Sequence, residues 1–445
     1  MVSGRTARSL TLWPLAATIF FCVSGGPFGL EPVMQGGLWL GMTLILVVPI
    51  VWALPSALMT AELASALPEE GGYYVWVLQA LGPFPGFLCA WWSWVYSWLD
   101  AAIYPTLFFA YLNNLFSLLH GTAGTEVAPW LKWLVGLVLI VPLTALNIRG
   151  IRPVGRTALV FGALLLLPFL ALIAMGLPYA ISHPPHGFVA PGKGAGEAVG
   201  AGLFVVMWNY LGWDSMSTVA GEVSEPRRSF PRALALCGPL IVASYALPVF
   251  VGMARVTDPA KWAEGSWTTT AAVIGGTWLA VAMTIAGVFS TAGQFGSVLL
   301  SGSRVPFALA EHGYLPLALS KLSRRFGTPV MAILISVLFT TILSYESFKD
   351  LAEADVILYS CGLVLEFVAL VVLKVKEPSL PRPYRISGGL PVAVAVVLMP
   401  IVLIVFATIN QFQTAEKAGL MASGLGILSA FVAYPVCRAN RPGVG

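Results

Sequence analysis

Residues 20–31 read Phe20-Phe21-Cys22-Val23-Ser24-Gly25-Gly26-Pro27-Phe28-Gly29-Leu30-Glu31. Apolar residues surround three glycines and a proline, which lower helix propensity and remove a backbone donor inside a run long enough to span a bilayer. A second interruption, Trp208-Asn209-Tyr210-Leu211-Gly212-Trp213-Asp214, falls in the sixth of twelve such runs. The runs cover approximately 11–35, 37–62, 84–117, 128–147, 155–180, 198–221, 233–254, 270–303, 329–344, 354–373, 389–410 and 417–437. Open sheet edges do not survive in lipid, and the runs lack the alternating polar period of barrel strands. The chain therefore reads as an all-α polytopic membrane protein with 12 transmembrane helices, the first and sixth discontinuous.

Composition agrees. Of 445 residues 58% are hydrophobic and 10% charged, with a mean hydropathy of +0.85, which excludes both a soluble globule and a disordered chain. Cys22, Cys89, Cys237, Cys361 and Cys437 lie in or beside apolar runs, without a CxxC pair, and the four histidines do not cluster. No disulfide framework, metal site or cofactor is expected. Arg5 and Arg8 precede the first run as they would in a signal peptide, but the run is too long and lacks a clear small-residue cleavage site.

Lys and Arg stay on the cytoplasmic side during insertion. With a cytoplasmic N-terminus, the inside connections hold Arg5, Arg8, Arg149, Arg152, Arg156, Arg227, Arg228, Arg232, Arg304, Lys321, Arg324, Arg325, Lys374, Lys376, Arg382, Arg385, Arg438 and Arg441. The outside ones hold only Lys132, Lys193, Arg255, Lys261, Lys349 and Lys417, so both termini are expected in the cytoplasm of a cell with this protein in its inner or plasma membrane. The basic excess belongs to loops at one face, and no nucleic-acid partner is implied. No basic residue remains for the interior of a helix, whereas the acids Glu31, Glu62, Asp100, Asp214 and Glu366 fall within runs. Intramembrane acids mark ion, proton or substrate pathways. The bland alternative, a protonated acid bonded to a neighbouring helix, is the preferred reading for Glu62 and stays open for Glu366. Without internal bases the set favours a cationic ligand or a proton.

The two interruptions are five runs apart, so a five-helix repeat would be inverted, and breaks in corresponding positions point to a midplane binding site. Singly, they also read as a proline kink and a packing glycine.

Several loops carry a family resemblance. They are Ala61-Glu62-Leu63 with Pro68-Glu69-Glu70-Gly71-Gly72-Tyr73; Ala220-Gly221-Glu222-Val223 with Glu225-Pro226-Arg227-Arg228 and Pro231-Arg232-Ala233-Leu234; Ser303-Arg304, Gly313-Tyr314-Leu315-Pro316 and Phe326-Gly327-Thr328-Pro329-Val330; and Lys376-Glu377-Pro378 with Leu380-Pro381-Arg382-Pro383-Tyr384. In this order they resemble the amino acid, polyamine and organocation transporters over nearly the whole chain. The resemblance implies a LeuT-like 5+5 inverted repeat, with residues 1–180 as the first unit, 181–375 as the second and 376–445 adding helices 11 and 12. It also implies secondary active transport by alternating access. Val23 to Glu31 and Trp213-Asp214-Ser215 look most like the polyamine uptake branch. Amino acid members usually carry Gly-Ser-Gly-Ile-Phe in helix 1, whose bare amides take a carboxylate. Pro27 has no amide hydrogen, which places ordinary amino acid transport second.

The expected substrate site comprises Ser24, Gly25, Gly26, Phe28, Glu31, Asp100, Trp208, Tyr210, Trp213 and Asp214. Carboxylates, carbonyls freed by the breaks and aromatic faces suit ammonium groups. Similarity to the family's arginine/agmatine exchanger places Trp208 at the aromatic covering the substrate and Asp214 on the transport path; Trp213 also reads as a packing or lipid-facing ring. Trp91, Trp92, Trp94, Tyr96 and Trp98 read as packing and interface anchors. Protons, carried by Asp214 or Glu31 in symport, are preferred over sodium. Residues 157–180 contain no lysine of the kind some relatives place at the ion position, and Ser290 and Thr291 are expected to bond back to their own helix.

No HExxH, GxSxG or His-Asp constellation supports an enzyme, and the paired breaks argue against a receptor. Pro191-Gly192-Lys193-Gly194 has the wrong spacing for a phosphate loop. The outside loop after the third run holds no cysteine, so no disulfide-linked subunit is expected.

Overall fold

The computed structural model describes residues 9–120, 128–192, 194–414 and 417–439. Among them are helices and turns but no strand. The long helices are α1 Leu12–Val23, α2 Leu38–Ala66, α3 Pro83–His120, α4 Pro129–Arg149, α5 Ile151–Ser182, α6 Ala195–Trp208, α7 Pro226–Arg255, α8 Thr277–Glu311, α9 Val330–Leu343, α10 Phe348–Lys376, α11 Gly389–Thr414 and α12 Lys417–Ala439. Short helices Tyr73–Leu81 and Trp267–Gly275 precede α3 and α8. Nine described helices are long and apolar enough to cross a membrane; α1, α6 and α9 are shorter.

Two local departures from the sequence reading have backbone causes. The eighth run does not start as one helix: Gly276, at φ 79°, ends Trp267–Gly275, and α8 restarts at Thr277. Within α2 a π turn covers Pro49–Ala53, where Pro49 and Pro55 lack the N–H groups that a regular ladder needs.

Apolar side chains such as Leu167, Leu170, Val402, Leu425 and Val432 face outward, as a lipid solvent allows, while α8 and α10 are the most enclosed helices. The predicted basic connections do gather at one face. Thr328 Oγ1 donates to the Ile148 carbonyl at 2.7 Å, Ser9 N to the Glu222 carbonyl at 2.8 Å, and Lys376 Nζ to the Ala80 carbonyl at 3.2 Å. The opposite face gathers Trp39 with Pro185, Gln35 with Trp262 and Asn114 with Glu264. Arg5, Arg8, Lys193 and Arg441 lie outside the described residues, as do 121–127, most of the loop on which the expectation about a linked subunit rests. All five cysteines are free thiols.

Glu62 is corrected by the structure. Fully buried at the basic face, it is ion-paired with Lys374 Nζ at 2.5 Å and Arg382 Nε at 3.2 Å, and it accepts the Ile386 N–H at 2.8 Å. Arg304, counted as a loop cation, is 1% exposed and bonds Glu222 Oε1 through Nε at 3.0 Å. Among the described residues, then, basic side chains do enter the protein at this end.

Candidate substrate site

The first break runs from Ser24 to Leu30. Ser24 is extended, Gly26 and Gly29 have φ of 70° and 86°, and the chain resumes as a 3-10 helix at Glu31–Gly36. Its amides are largely consumed internally: Gly26 N donates to Ser24 Oγ at 3.0 Å, Gly29 N to Glu31 Oε2 at 2.6 Å, and Pro27 has none. Gly25 packs closely on α8: a Cβ there would lie 2.0 Å from Gln294 Oε1 and 2.3 Å from Ser290 Oγ, so those side chains would have to shift. Ser290 donates to the Gly25 carbonyl at 2.7 Å, so it crosses to the break, whereas Thr291 bonds back to Gly287 as expected.

The second break follows α6. Asn209 to Asp214 form turns, with Gly212 at φ 82°, and two 3-10 turns cover Ser215–Thr218 and Ala220–Glu222. The breaks face one another: a Cβ on Gly212 would sit 2.3 Å from the Cys22 carbonyl oxygen, and one on Gly29 would sit 2.7 Å from the Trp208 ring.

Five acids are buried around this junction. Glu31 is held on all sides, taking Gly29 N on one oxygen and Tyr111 Oη at 3.0 Å and Gly265 N at 3.2 Å on the other. Asp100 accepts Tyr104 Oη at 2.6 Å and lies within bonding reach of Trp208. Asp214 accepts the Tyr359 hydroxyl and interacts electrostatically with a second acid, Glu366 on α10. An ionised carboxylate only accepts, so a hydrogen bond between these two acids can form only when one of them holds a proton. The fifth, Asp355, interacts electrostatically with Asp100, and neither of its oxygens has a hydrogen-bond partner. None of Asp100, Asp214, Asp355 and Glu366 is paired with Lys, Arg or His among the described residues.

Helical spacing explains the arrangement. On α10, Asp355, Tyr359 and Glu366 follow i, i+4, i+11 and share one face, which separates the two acids by about 16 Å along the axis. On α3, Tyr96, Asp100, Tyr104 and Tyr111 form the matching polar stripe. The sequence reading missed Asp355, which lies inside the tenth run, and Tyr359; the i, i+4, i+11 pattern was the available signal.

Not every expected residue joins this group. Trp208 does: its ring stands 6.4 Å from Tyr104 and 5.4 Å, edge-on, from Phe348. Tyr210 turns away, donating to the Ile45 carbonyl at 3.0 Å, and lines with Trp213 an apolar surface groove between α2 and α7. Phe28 packs edge-on against Tyr111 and Phe169 at 4.6 and 5.1 Å. Trp91, Trp92, Trp94 and Trp98 serve packing, through Ser429, Ile427, Ser336 and Phe339. Tyr96 departs from that expectation, bonding Ser215 at 3.1 Å and meeting the Tyr359 ring at 5.1 Å.

A helical membrane body with two facing helix breaks and buried, base-free acids has the features of a membrane carrier. The amino acid permease family profile matches residues 10–430, and the chain belongs to this family. It is similar to polyamine transporter RMV1 of Arabidopsis thaliana, at 38% identity over 89% of this chain and 79% of that protein. It is similar as well to polyamine transporter PUT1 of Oryza sativa subsp. japonica, at 37% identity over 94% and 78%. More distant is the serine/threonine exchanger SteT of Bacillus subtilis, at 25% identity over 87% and 85%. These relatives are transporters, and the chain is a permease rather than an enzyme.

Proposed function

We propose that the protein is a secondary active permease for polyamines or closely related organic cations, working by alternating access and coupled to protons. The observation that carries the reading is the group of four buried acids, Asp100, Asp214, Asp355 and Glu366, with no basic partner among the described residues, beside the two breaks. A polyamine supplies the missing positive charge. The two similar polyamine transporters support the same cargo. An amino acid permease or exchanger is the alternative, favoured by similarity to the serine/threonine exchanger. The internal use of the Gly26 and Gly29 amides leaves few donors for a carboxylate and speaks against it.

Twelve spans in a LeuT-like 5+5 inverted repeat, with units 1–180 and 181–375 followed by 376–445, belong to the same proposal. A detail supports the repeat: nine-residue helices Tyr73–Leu81 and Trp267–Gly275 occupy corresponding places before α3 and α8. They end on Gly82 at φ 93°, ψ −175° and Gly276 at φ 79°, ψ −171°. The basic face is the cytoplasmic one, with both termini there, in an inner or plasma membrane. Asp214, with Glu366 as its acidic neighbour, is the proton carrier in symport; Glu31, fully engaged by three donors, has the lesser claim.

Uptake of labelled putrescine and spermidine into proteoliposomes tests the reading. Accumulation should follow an imposed pH gradient, persist when sodium is replaced by choline, and be competed by unlabelled amines. Competition by neutral amino acids but not by amines would overturn the cargo, and dependence on a sodium gradient the coupling.

A further inference from the structure

We infer that Asp100 and Asp355, two interacting acids on the packed helices α3 and α10, form the subsite that holds one primary ammonium group of the cargo; the inference rests on the polyamine reading above. Asp355 is fully buried and neither of its oxygens has a hydrogen-bond partner. Buried polar groups are nearly always satisfied, and an unpaired carboxylate is among the most costly to leave alone. The charged group that acts on it is another acid, Asp100, so the protein raises the cost rather than relieving it. A cation between the two carboxylates turns that repulsion into two attractions.

The surroundings specify the kind of cation. Tyr104 fixes one Asp100 oxygen at 2.6 Å, leaving acceptor capacity on Asp100 and all of it on Asp355. Acceptors without donors call for a head group rich in N–H, which a primary ammonium has and a quaternary one lacks. The Trp208 ring beside Asp100 adds an aromatic wall for a cation. Access is also built in. Phe348, edge-on to Trp208, contributes to a cavity of about 510 Å³ lined by Pro32, Gln35, Phe204 and Glu264, on the face opposite the basic connections. The rings of Phe348 and Trp208 therefore stand between that cavity and the acid pair.

The test is equilibrium spermidine binding to the purified full-length protein in nanodiscs, with thermal unfolding in parallel. Asp355→Asn and Asp100→Asn should each weaken spermidine about tenfold or more, the scale of a lost charge-assisted hydrogen bond. The ligand-induced rise in Tm should vanish, while Tm without ligand is unchanged or higher because an unpaired buried charge has gone. Asp355→Glu should keep most of the affinity, and a bis-quaternary analogue of the same length should bind the wild-type protein far less tightly than spermidine. Asp355→Asn binding spermidine like the wild type would overturn the subsite while leaving the polyamine reading intact. Asp355→Asn with lowered ligand-free Tm and unchanged affinity would equally overturn it, assigning Asp355 to structure. A wild-type protein that binds neutral amino acids but no amine would overturn both.

Discussion

The Tyr359 hydroxyl donates to Asp214 Oδ1 while accepting the N–H of Gly212 at 3.2 Å, so one phenol ties the break after α6 to α10. Asp214→Asn keeps the shape of this contact and removes the titratable group. Accumulation of amine driven by a pH gradient should fall at least about tenfold, while exchange of labelled for unlabelled amine across equal pH persists. Tyr359→Phe should lower accumulation less, by roughly the worth of one hydrogen bond to a charged group. Full accumulation by Asp214→Asn would remove Asp214 from the coupling step.

Trp208 and Trp213 share a residue type and differ in address. Trp208→Ala should raise the KM for amines about tenfold, with Trp208→Phe intermediate, because the ring flanks Asp100 and Tyr104. Trp213→Ala removes a wall of the α2–α7 groove and should leave KM near the wild-type value. Initial-rate uptake at varied substrate separates the two.

Gly212 cannot take a side chain: its φ is 82° and a Cβ would meet the Cys22 carbonyl oxygen at 2.3 Å. Gly212→Ala should abolish uptake and lower Tm, since backbone must move. Gly238→Ala, where nothing lies within 4 Å and the residue is inside α7, should be neutral or stabilising by up to about 1 kcal/mol.

Arg304→Met strands the Glu222 carboxylate in a buried site and should cost about 3–5 kcal/mol. Adding Glu222→Gln should recover part of the loss, since a neutral amide no longer needs the cation. Thermal unfolding of the single and double variants measures the coupling.

Both breaks were readable because glycine and proline act locally: Gly25, Gly26, Pro27 and Gly29 weaken a helix whatever surrounds them. The gathering of the described basic connections at one face was readable for a similar reason, since insertion sorts Lys and Arg by loop. Side-chain direction inside the breaks was not. Helical periodicity fails where the helix does, so Tyr210 and Trp213 were grouped with Trp208 in the expected site although, of the three, Trp208 is the ring beside Asp100 and Tyr104. Asp355 was missed for the opposite reason. It follows Asp350 and Glu353 at the start of α10, where acids usually sit exposed at a helix N-terminus, and only its partnership with Tyr359 and Glu366 on one face sets it apart. Glu62 was misjudged because Lys374 and Arg382 reach it from more than 300 residues away in the chain.

Asp100, Asp214, Asp355 and Glu366 have no basic partner among the described residues, so whichever of them is ionised leaves the empty carrier with uncompensated negative charge. A bound di- or triamine brings it close to neutral. Membrane voltage, worth about 2.3 kcal/mol per elementary charge per 100 mV for full transfer, would then act mainly on the return of the empty protein. With the cell interior negative, that return is pushed in the direction that re-exposes the site outside. The buried acids would thus make each cycle respond to voltage on its unloaded half, and uptake would quicken with hyperpolarisation even where the loaded step carries almost no net charge.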